Sequence, residues 1–175
     1  MKLKTLAVML AGALLLAACS QKQDVSAKKK AAAPAVAQNT LALDIQLPVF
    51  GEDAVWKSSD YKGKPVLVAV MATWCPWCKR SLKALDQTSE AYGGQVEVVG
   101  VFEGNDLNEI TDVKDQYNIK SKILYDGRPV MEQLEVSGFP QIMLFDKNHK
   151  LVRTWSGYAD NLADMYAEEI DKLFK

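Results

Sequence analysis

Apolar residues concentrate in two segments of strand length, 66–71 and 96–102, and a segment of helical spacing lies between them. An apolar run as unbroken as 66–71 predicts a strand that is covered on both faces of a sheet. From Cys78 onward apolar positions recur on one helix face, and the Gly-Gly pair at 93–94 is expected to end that helix. The pattern therefore predicts a strand–helix–strand unit in the middle of the chain.

Shorter patterned segments flank this unit on both sides. In chain order they predict a β-hairpin over 41–56, a short helical turn at 58–60, a helix over 105–117, a strand at 123–125, one or two helical turns at 130–134, a hairpin of 141–145 with 151–155, and an amphipathic helix over 162–174. After the first hairpin the order is β-α-β-α-β-α-β-β-α. This order predicts an α/β fold with a central mixed sheet and helices on both faces.

The first forty residues differ from the rest of the chain. Lys2 and Lys4 precede an apolar run over 6–18 that ends in small residues, which is the pattern of a secretory signal sequence. The run is too short to span a bilayer comfortably, so a permanent transmembrane helix is disfavoured. Residues 19–40 have no apolar period and contain three consecutive lysines, which is typical of a flexible tether.

The end of the apolar run, Leu16-Ala17-Ala18-Cys19, resembles the bacterial lipobox. The resemblance implies that the Cys19 thiol receives a diacylglyceryl group and that cleavage makes this cysteine the first mature residue. An ordinary signal peptide that contains a cysteine is the alternative, but it would leave an unpaired exported thiol. We therefore expect a lipoprotein signal peptide at 1–18, a lipidated Cys19 with its tether to residue 40, and one domain over 41–175. Ser20 implies outer-membrane sorting if the organism is Gram-negative.

Charge and composition exclude several classes of protein. The chain is 49% apolar and has 175 residues, enough for one ordinary domain. Residues 1–39 carry six Lys and one Asp, a net charge of +5, and residues 40–175 carry 15 basic against 21 acidic side chains, a net charge of −6. A domain of that sign repels phosphate backbones, so nucleic-acid binding is disfavoured. Three cysteines and the single His149 are too few for a Cys-His protease, a Ser-His-Asp hydrolase or a multi-ligand zinc site, so we expect neither metal nor cofactor.

The remaining two cysteines, Cys75 and Cys78, lie between the first buried strand and its helix. Free N–H groups and the positive end of the dipole at the helix N-terminus stabilise a thiolate at Cys75. Cys78 lies one turn deeper on the core side and can close a disulfide with Cys75, so attack, mixed disulfide and resolution need only this pair. A structural disulfide, a zinc knuckle and two inert thiols are the alternatives. The first constrains the unfolded chain little, and the second lacks ligands.

With this cysteine motif between a buried strand and a helix, the chain resembles the thioredoxin superfamily, and within it the membrane-anchored TlpA/ResA group. The resemblance covers residues 41–175, and its anchors are Gly63-Lys64-Pro65-Val66-Leu67-Val68, Ala72-Thr73-Trp74-Cys75-Pro76-Trp77-Cys78, Gly138-Phe139-Pro140 and Phe145-Asp146-Lys147. It implies a thioredoxin-like fold and a redox-active disulfide between Cys75 and Cys78. The 61 residues between Cys78 and Pro140 include a surplus over 104–127, where the TlpA/ResA group carries an αβ insertion.

The resemblance also implies roles for single residues near the cysteines. Pro140 corresponds to a cis-proline that leaves the backbone of Phe139 free to pair with an extended substrate; a trans-proline that starts a strand is the alternative. Glu103 corresponds to an acid beside the buried cysteine and is a candidate catalytic proton acceptor for it; a solvated acid in a turn is the alternative. Trp74 and Trp77 are candidates for an apolar docking rim, although Trp74 could simply pack on the helix.

We therefore expect an exported, lipid-anchored thiol–disulfide oxidoreductase that acts as a reductant in the cell envelope. The resemblance implies electrons from a membrane thiol carrier of the DsbD or CcdA type. It also implies delivery to exported protein disulfides, in cytochrome c maturation or in recycling of a methionine sulfoxide reductase. A dithiol oxidase is the alternative within the enzyme class, and a non-catalytic binding or chaperone module is the alternative outside it.

Overall fold

The computed structural model describes residues 41–175. The expected signal peptide at 1–18, the lipidation of Cys19 and the tether to residue 40 lie outside the described residues. Between residues 41 and 175, no helix is both long enough and apolar enough to span a bilayer.

Seven strands and four α-helices form the described part of the chain. The strands are β1 (Gln46–Pro48), β2 (Val55–Lys57), β3 (Val66–Met71), β4 (Glu97–Phe102), β5 (Lys122–Leu124), β6 (Gln141–Phe145) and β7 (Leu151–Ser156). The helices are α1 (Pro76–Tyr92), α2 (Leu107–Tyr117), α3 (Arg128–Gln133) and α4 (Leu162–Lys172), and a short 3-10 turn covers Ser58–Tyr61. The order of elements predicted from the sequence is confirmed.

Strands β3 to β7 form one mixed sheet in the order β5-β4-β3-β6-β7. β3 pairs in parallel with β4, and β4 with β5, whereas β6 is antiparallel to both β3 and β7. β1 and β2 form the separate antiparallel hairpin that the sequence predicted. The carboxyl ends of the parallel strands therefore meet at one edge of the sheet, where β3 leads into α1.

β3 is the centre of the core, and each of its six residues is fully buried. Alternate side chains point to opposite faces of the sheet. Leu67, Ala69 and Met71 pack in the same cluster as side chains of α1, α2 and α4. Val66 and Val68 pack on the other face with side chains of the β1–β2 hairpin and α3. Helices on both faces explain the unbroken apolar run, and the predicted fold class is confirmed.

Local signals set the ends of the helices. Gly93 adopts a left-handed φ of 51° directly after α1, as expected for a glycine that ends a helix. α2 begins at Leu107, two residues later than predicted, because the Asp106 carboxylate caps it by accepting hydrogen bonds from the N–H groups of Asn108 and Glu109.

The turn between β6 and β7 differs from its polar appearance in the sequence. His149 is 2% exposed, has a φ of 62°, and neither ring nitrogen has a hydrogen-bond partner among the residues that the structure describes. The segment that begins the described chain covers this turn, since the N–H of Leu43 donates to the carbonyl of His149 and the N–H of Leu151 donates to Leu41. Pairing with residues 41–43, which are distant in sequence, therefore buries His149, a residue that the local sequence places in a solvated loop.

Candidate active site

Cys75 and Cys78 lie at the N-terminus of α1, just beyond the end of β3. Cys75 is the N-cap residue, and its Sγ accepts a hydrogen bond from the N–H of Cys78 at 3.3 Å. Both thiols are free and buried, with 4% of Cys75 and 0% of Cys78 exposed. Pro76 occupies the first helical position, where its missing N–H costs no hydrogen bond. The structure thus holds the reduced pair one helical turn apart.

The surroundings of the two sulfurs differ. Burial raises the pKa of the Cys78 thiol well above its usual range, and a hydrogen bond with Cys75 adds to the rise. At neutral pH Cys78 therefore keeps its proton. The Cys75 sulfur faces the helix terminus, where it accepts a hydrogen bond from the Cys78 N–H.

The loop before β6 faces the cysteines from the other side. The peptide bond between Phe139 and Pro140 is cis, as the resemblance implied. The Cys75 thiol donates to the carbonyl of Phe139 at an Sγ–O distance of 3.8 Å. The cysteine motif and the Phe139–Pro140 loop thus meet in one site, although Cys75 and Phe139 are 64 positions apart in the sequence.

Two exposed tryptophans stand beside the dithiol. Trp74 is 67% exposed and Trp77 51% exposed. Trp74 meets the Phe139 ring edge to face, at 5.9 Å between ring centroids. Trp77 stacks on Tyr158 at 5.8 Å. Both indole rings are therefore open to solvent beside the dithiol.

Two neighbours of Trp77, Arg80 and Tyr158, were not predicted from the sequence as residues of the site. The Arg80 guanidinium carbon lies 4.9 Å from the Trp77 ring centroid and 5.9 Å from that of Tyr158. Arg80 lies three positions after Trp77 on α1, so helical spacing alone pairs them. Tyr158 lies in the loop after β7, and no local signal in the sequence connects it with the cysteine motif.

Glu103 follows β4 and lies next to the end of β3, because its N–H donates to the carbonyl of Met71 at 2.9 Å. Its Oε1 accepts a hydrogen bond from Trp74 Nε1 at 3.0 Å, and its Oε2 lies 3.9 Å from Arg128 Nη2. Neither of these contacts is with Cys78. The side chain is 19% exposed, so the carboxylate is partly buried at the edge of the site.

The central insertion reaches the same edge through α2. Thr73 Oγ1 donates to Glu109 Oε2 at 2.5 Å, which joins the cysteine loop to the first turn of α2. In the described part of the chain, His, Cys, Asp and Glu side chains nowhere gather in the groups of three or more that could hold a metal ion. The groups that the structure brings together at this edge are the dithiol, the carboxylates of Glu103 and Glu109, and the aromatic rings.

Comparison with known proteins finds a matching family model and several curated relatives. The family model of the AhpC/TSA family matches residues 39–154. The thiol:disulfide interchange protein DsbE of Escherichia coli K12 is 38% identical over 116 residues, which cover 65% of this chain and 60% of DsbE. The thiol-disulfide oxidoreductase ResA of Bacillus subtilis is 28% identical over 101 residues, 57% of this chain and 56% of ResA. The chain thus spans somewhat more than half of each of these two relatives.

Solved structures agree with this placement at the level of the fold. The thioredoxin domain of a thiol-disulfide oxidoreductase from Bacteroides vulgatus superimposes with a TM-score of 0.68 at 22% identity, covering 77% of this chain and 99% of that one. A thioredoxin family thiol:disulfide interchange protein from Chlorobium tepidum also gives 0.68, at 18% identity over 81% of this chain and 100% of that one. Taken with the match to the family model, the fold shows that the chain belongs to the AhpC/TSA family, and its sequence is similar to those of ResA and DsbE.

Proposed function

We propose that this protein, a thiol–disulfide oxidoreductase of the ResA and DsbE type, reduces disulfide bonds of exported proteins through Cys75 and Cys78. The observation that carries the proposal is the difference between the two sulfurs. Cys75 lies at the helix terminus with an N–H donor on its sulfur, whereas Cys78 is fully buried and its pKa is raised. A nucleophile and a resolving thiol need this division.

The reaction consists of two exchanges. The Cys75 thiolate attacks one sulfur of the substrate disulfide, the substrate S–S bond breaks, and the other substrate sulfur leaves as a thiolate. Cys78 then gives up its proton and attacks the Cys75 sulfur, which releases the second substrate thiolate and forms the Cys75–Cys78 disulfide. Two electrons pass to the substrate, which leaves as a dithiol.

The raised pKa of Cys78 means that the second exchange requires a proton acceptor. We assign this role to Glu103. It is a partly buried carboxylate whose backbone is bonded to Met71, at the end of the strand that leads to the cysteines. A positioned acid or base of this kind contributes about 10²-fold or more to a proton transfer.

The substrate is expected to dock beside Cys75, on the Phe139–Pro140 loop. The backbone of this loop faces Cys75 and can pair with an extended chain through hydrogen bonds. Trp74 and Trp77 flank this position with exposed rings, which supply apolar contact area. These four residues form the proposed docking site.

We place this chemistry in the bacterial cell envelope, on a lipoprotein that faces the periplasm. The support is the signal sequence with its lipobox at Cys19, together with the names of the relatives DsbE and ResA. Ser20 favours the outer membrane if the organism is Gram-negative. A membrane thiol carrier of the DsbD or CcdA type is the proposed electron donor. Exported partners in cytochrome c maturation, or a methionine sulfoxide reductase, are the proposed acceptors.

Trapping of mixed disulfides tests the proposed function. The full chain with Cys78→Ser is expressed in its host, because Cys75 can then attack while resolution is blocked. We expect exported proteins to be bound to it through a disulfide that dithiothreitol breaks. The matched control, Cys75→Ser with Cys78→Ser, should capture none. Equal capture by both variants, or no reduction of insulin by the wild type, would contradict the proposal.

A dithiol oxidase would use the same pair in the opposite direction. Its resting state in the cell would be the Cys75–Cys78 disulfide, whereas a reductant that a membrane carrier keeps reduced rests as the dithiol. Acid quenching of cells followed by alkylation separates the two states by mass. We expect the wild type to be mainly reduced, and a mainly oxidised protein would support the oxidase.

A further inference from the structure

Arg80 lies on the exposed side of α1, next to the dithiol, and stacks over two aromatic rings. Its guanidinium lies over Trp77 and within 5.9 Å of the Tyr158 ring centroid. A guanidinium that stacks on a ring keeps the five N–H donors at its edge available for planar partners such as carboxylates. The stack therefore holds the cation in place without using its hydrogen bonds.

The charge of Arg80 is not neutralised within the described residues. Neither an ion pair nor a side-chain hydrogen bond of Arg80 is present in residues 41–175. The nearby Asp160 accepts a hydrogen bond from the Tyr158 hydroxyl at 2.9 Å. Arg80 is therefore an exposed cation that the two rings hold on α1, five positions after the attacking Cys75.

The other flank of the cysteine motif carries carboxylates. There Glu103 bonds to Trp74, and Glu109 bonds to Thr73. The cations on that flank lie among these carboxylates, since Arg128 is 3.9 Å from Glu103 and Lys79 lines the same pocket as Glu109. A segment that lies across Cys75 therefore meets the ring-stacked Arg80 on the Trp77 flank only, which gives the site a direction.

We propose that Arg80, held on Trp77 and Tyr158, selects target segments that carry an acidic side chain on one particular side of the reacting cysteine. This inference rests on the proposed function, because it names the chemistry of the targets of the same dithiol. Carboxylates are the partners that a guanidinium binds with two parallel hydrogen bonds. Since the net charge of residues 40–175 is −6, overall electrostatics works against acidic targets, and a preference for them points to a local cation.

Three synthetic peptide disulfides test this proposal on the reduced full chain. Each is the homodisulfide of a blocked five-residue peptide with a central cysteine. One carries Glu two positions before the cysteine, one carries Glu two positions after it, and one carries Gln at both places. The second-order rate of oxidation of the dithiol is followed by acid quenching and mass spectrometry at low salt.

We expect one of the two Glu peptides to react about threefold faster than the Gln peptide, the size that an exposed ion pair supplies. Arg80→Gln should bring this ratio to about one, and Arg80→Lys should lower it in part, since the planar fork is lost. Lys62→Gln is the matched control. It removes the same charge from an exposed residue that precedes β3, at the other end of the sheet, and it should keep the ratio.

The outcomes separate the two proposals. Failure of the wild type to reduce any of the peptides would contradict the proposed function. Reduction of all three at equal rates would overturn the inference about Arg80 and leave the function standing. A threefold preference that survives Arg80→Gln would also overturn the inference, because the selectivity would then come from other residues.

Discussion

Cys75 and Cys78 are only three positions apart, yet the surroundings of their sulfur atoms differ. Burial holds the proton on Cys78, while the Cys75 sulfur receives an N–H donor at the helix terminus. The same burial makes stability depend on pH. Above about pH 8.5 an unfolded cysteine loses its proton, whereas folded Cys78 keeps it. The unfolded state then binds fewer protons than the native state, so stability falls as pH rises.

The reduced protein is therefore expected to lose free energy of unfolding above pH 8.5, approaching about 1.4 kcal/mol per pH unit from Cys78 alone. The test is urea unfolding at intervals from pH 7 to 10. Above pH 10 the tyrosines also contribute, since burial and Asp171 raise the pKa of Tyr92 to about 12. Cys78→Ala should remove this part of the slope, and an unchanged slope in that variant would show that other groups cause it.

Glu103 has a carboxylate with two possible uses, and one substitution separates them. Glu103→Gln keeps an oxygen that can accept the hydrogen bond from Trp74 Nε1, but it removes the proton acceptor. We expect resolution by Cys78 to slow by about 10²-fold at neutral pH, while alkylation of Cys75 changes less. Glu109→Gln is the control, because that carboxylate also contacts the cysteine loop, through Thr73. Superimposable pH profiles of insulin reduction for Glu103→Gln and wild type would assign the proton to water.

At the scale of elements, the segments with a strong local pattern were predictable and the contacts between distant segments were not. The apolar run of β3 and the glycines after α1 are local signals, and both elements form where the sequence indicates. The start of α2 depends on the Asp106 cap, and the burial of His149 depends on pairing with residues 41–43. The cysteine motif and Pro140 stand out in the sequence, whereas Tyr158 reaches the site from the loop after β7 and Arg128 from the start of α3, and neither carries a local signal.

One such long-range contact joins α1 to the turn before β5. The Asp86 carboxylate accepts hydrogen bonds from the N–H groups of Lys120 and Ser121 and from the Ser121 hydroxyl. We expect Asp86→Ala to lower the free energy of unfolding by about 2 kcal/mol, because the N–H and hydroxyl of the buried Ser121 lose a charged acceptor. Glu90→Ala, an exposed change one turn further along α1, is the control and should have little effect. Equal stability of the two variants in urea would contradict this role of Asp86.

At the scale of the whole molecule, the sequence divides a basic N-terminal segment from an acidic domain. We propose that the first part attaches the protein to the membrane and that the second carries the redox reaction, so the two functions should be separable. A Cys19→Ser variant is expected to lose incorporation of labelled palmitate and to leave the membrane fraction, because no acyl chain is attached. Its reduction of insulin in solution should match that of the wild type. Continued labelling of Cys19→Ser would contradict the lipobox.

The division of work between the two sulfurs underlies every step proposed for the molecule. Its most direct test is the rate of iodoacetamide alkylation at each cysteine of the reduced protein between pH 6 and 7, located by peptide mass spectrometry. We expect Cys75 to be alkylated much faster than Cys78, and we expect the difference to disappear when the protein is unfolded in urea. Equal rates in the folded protein, or faster labelling of Cys78, would contradict the assignment of Cys75 as the nucleophile.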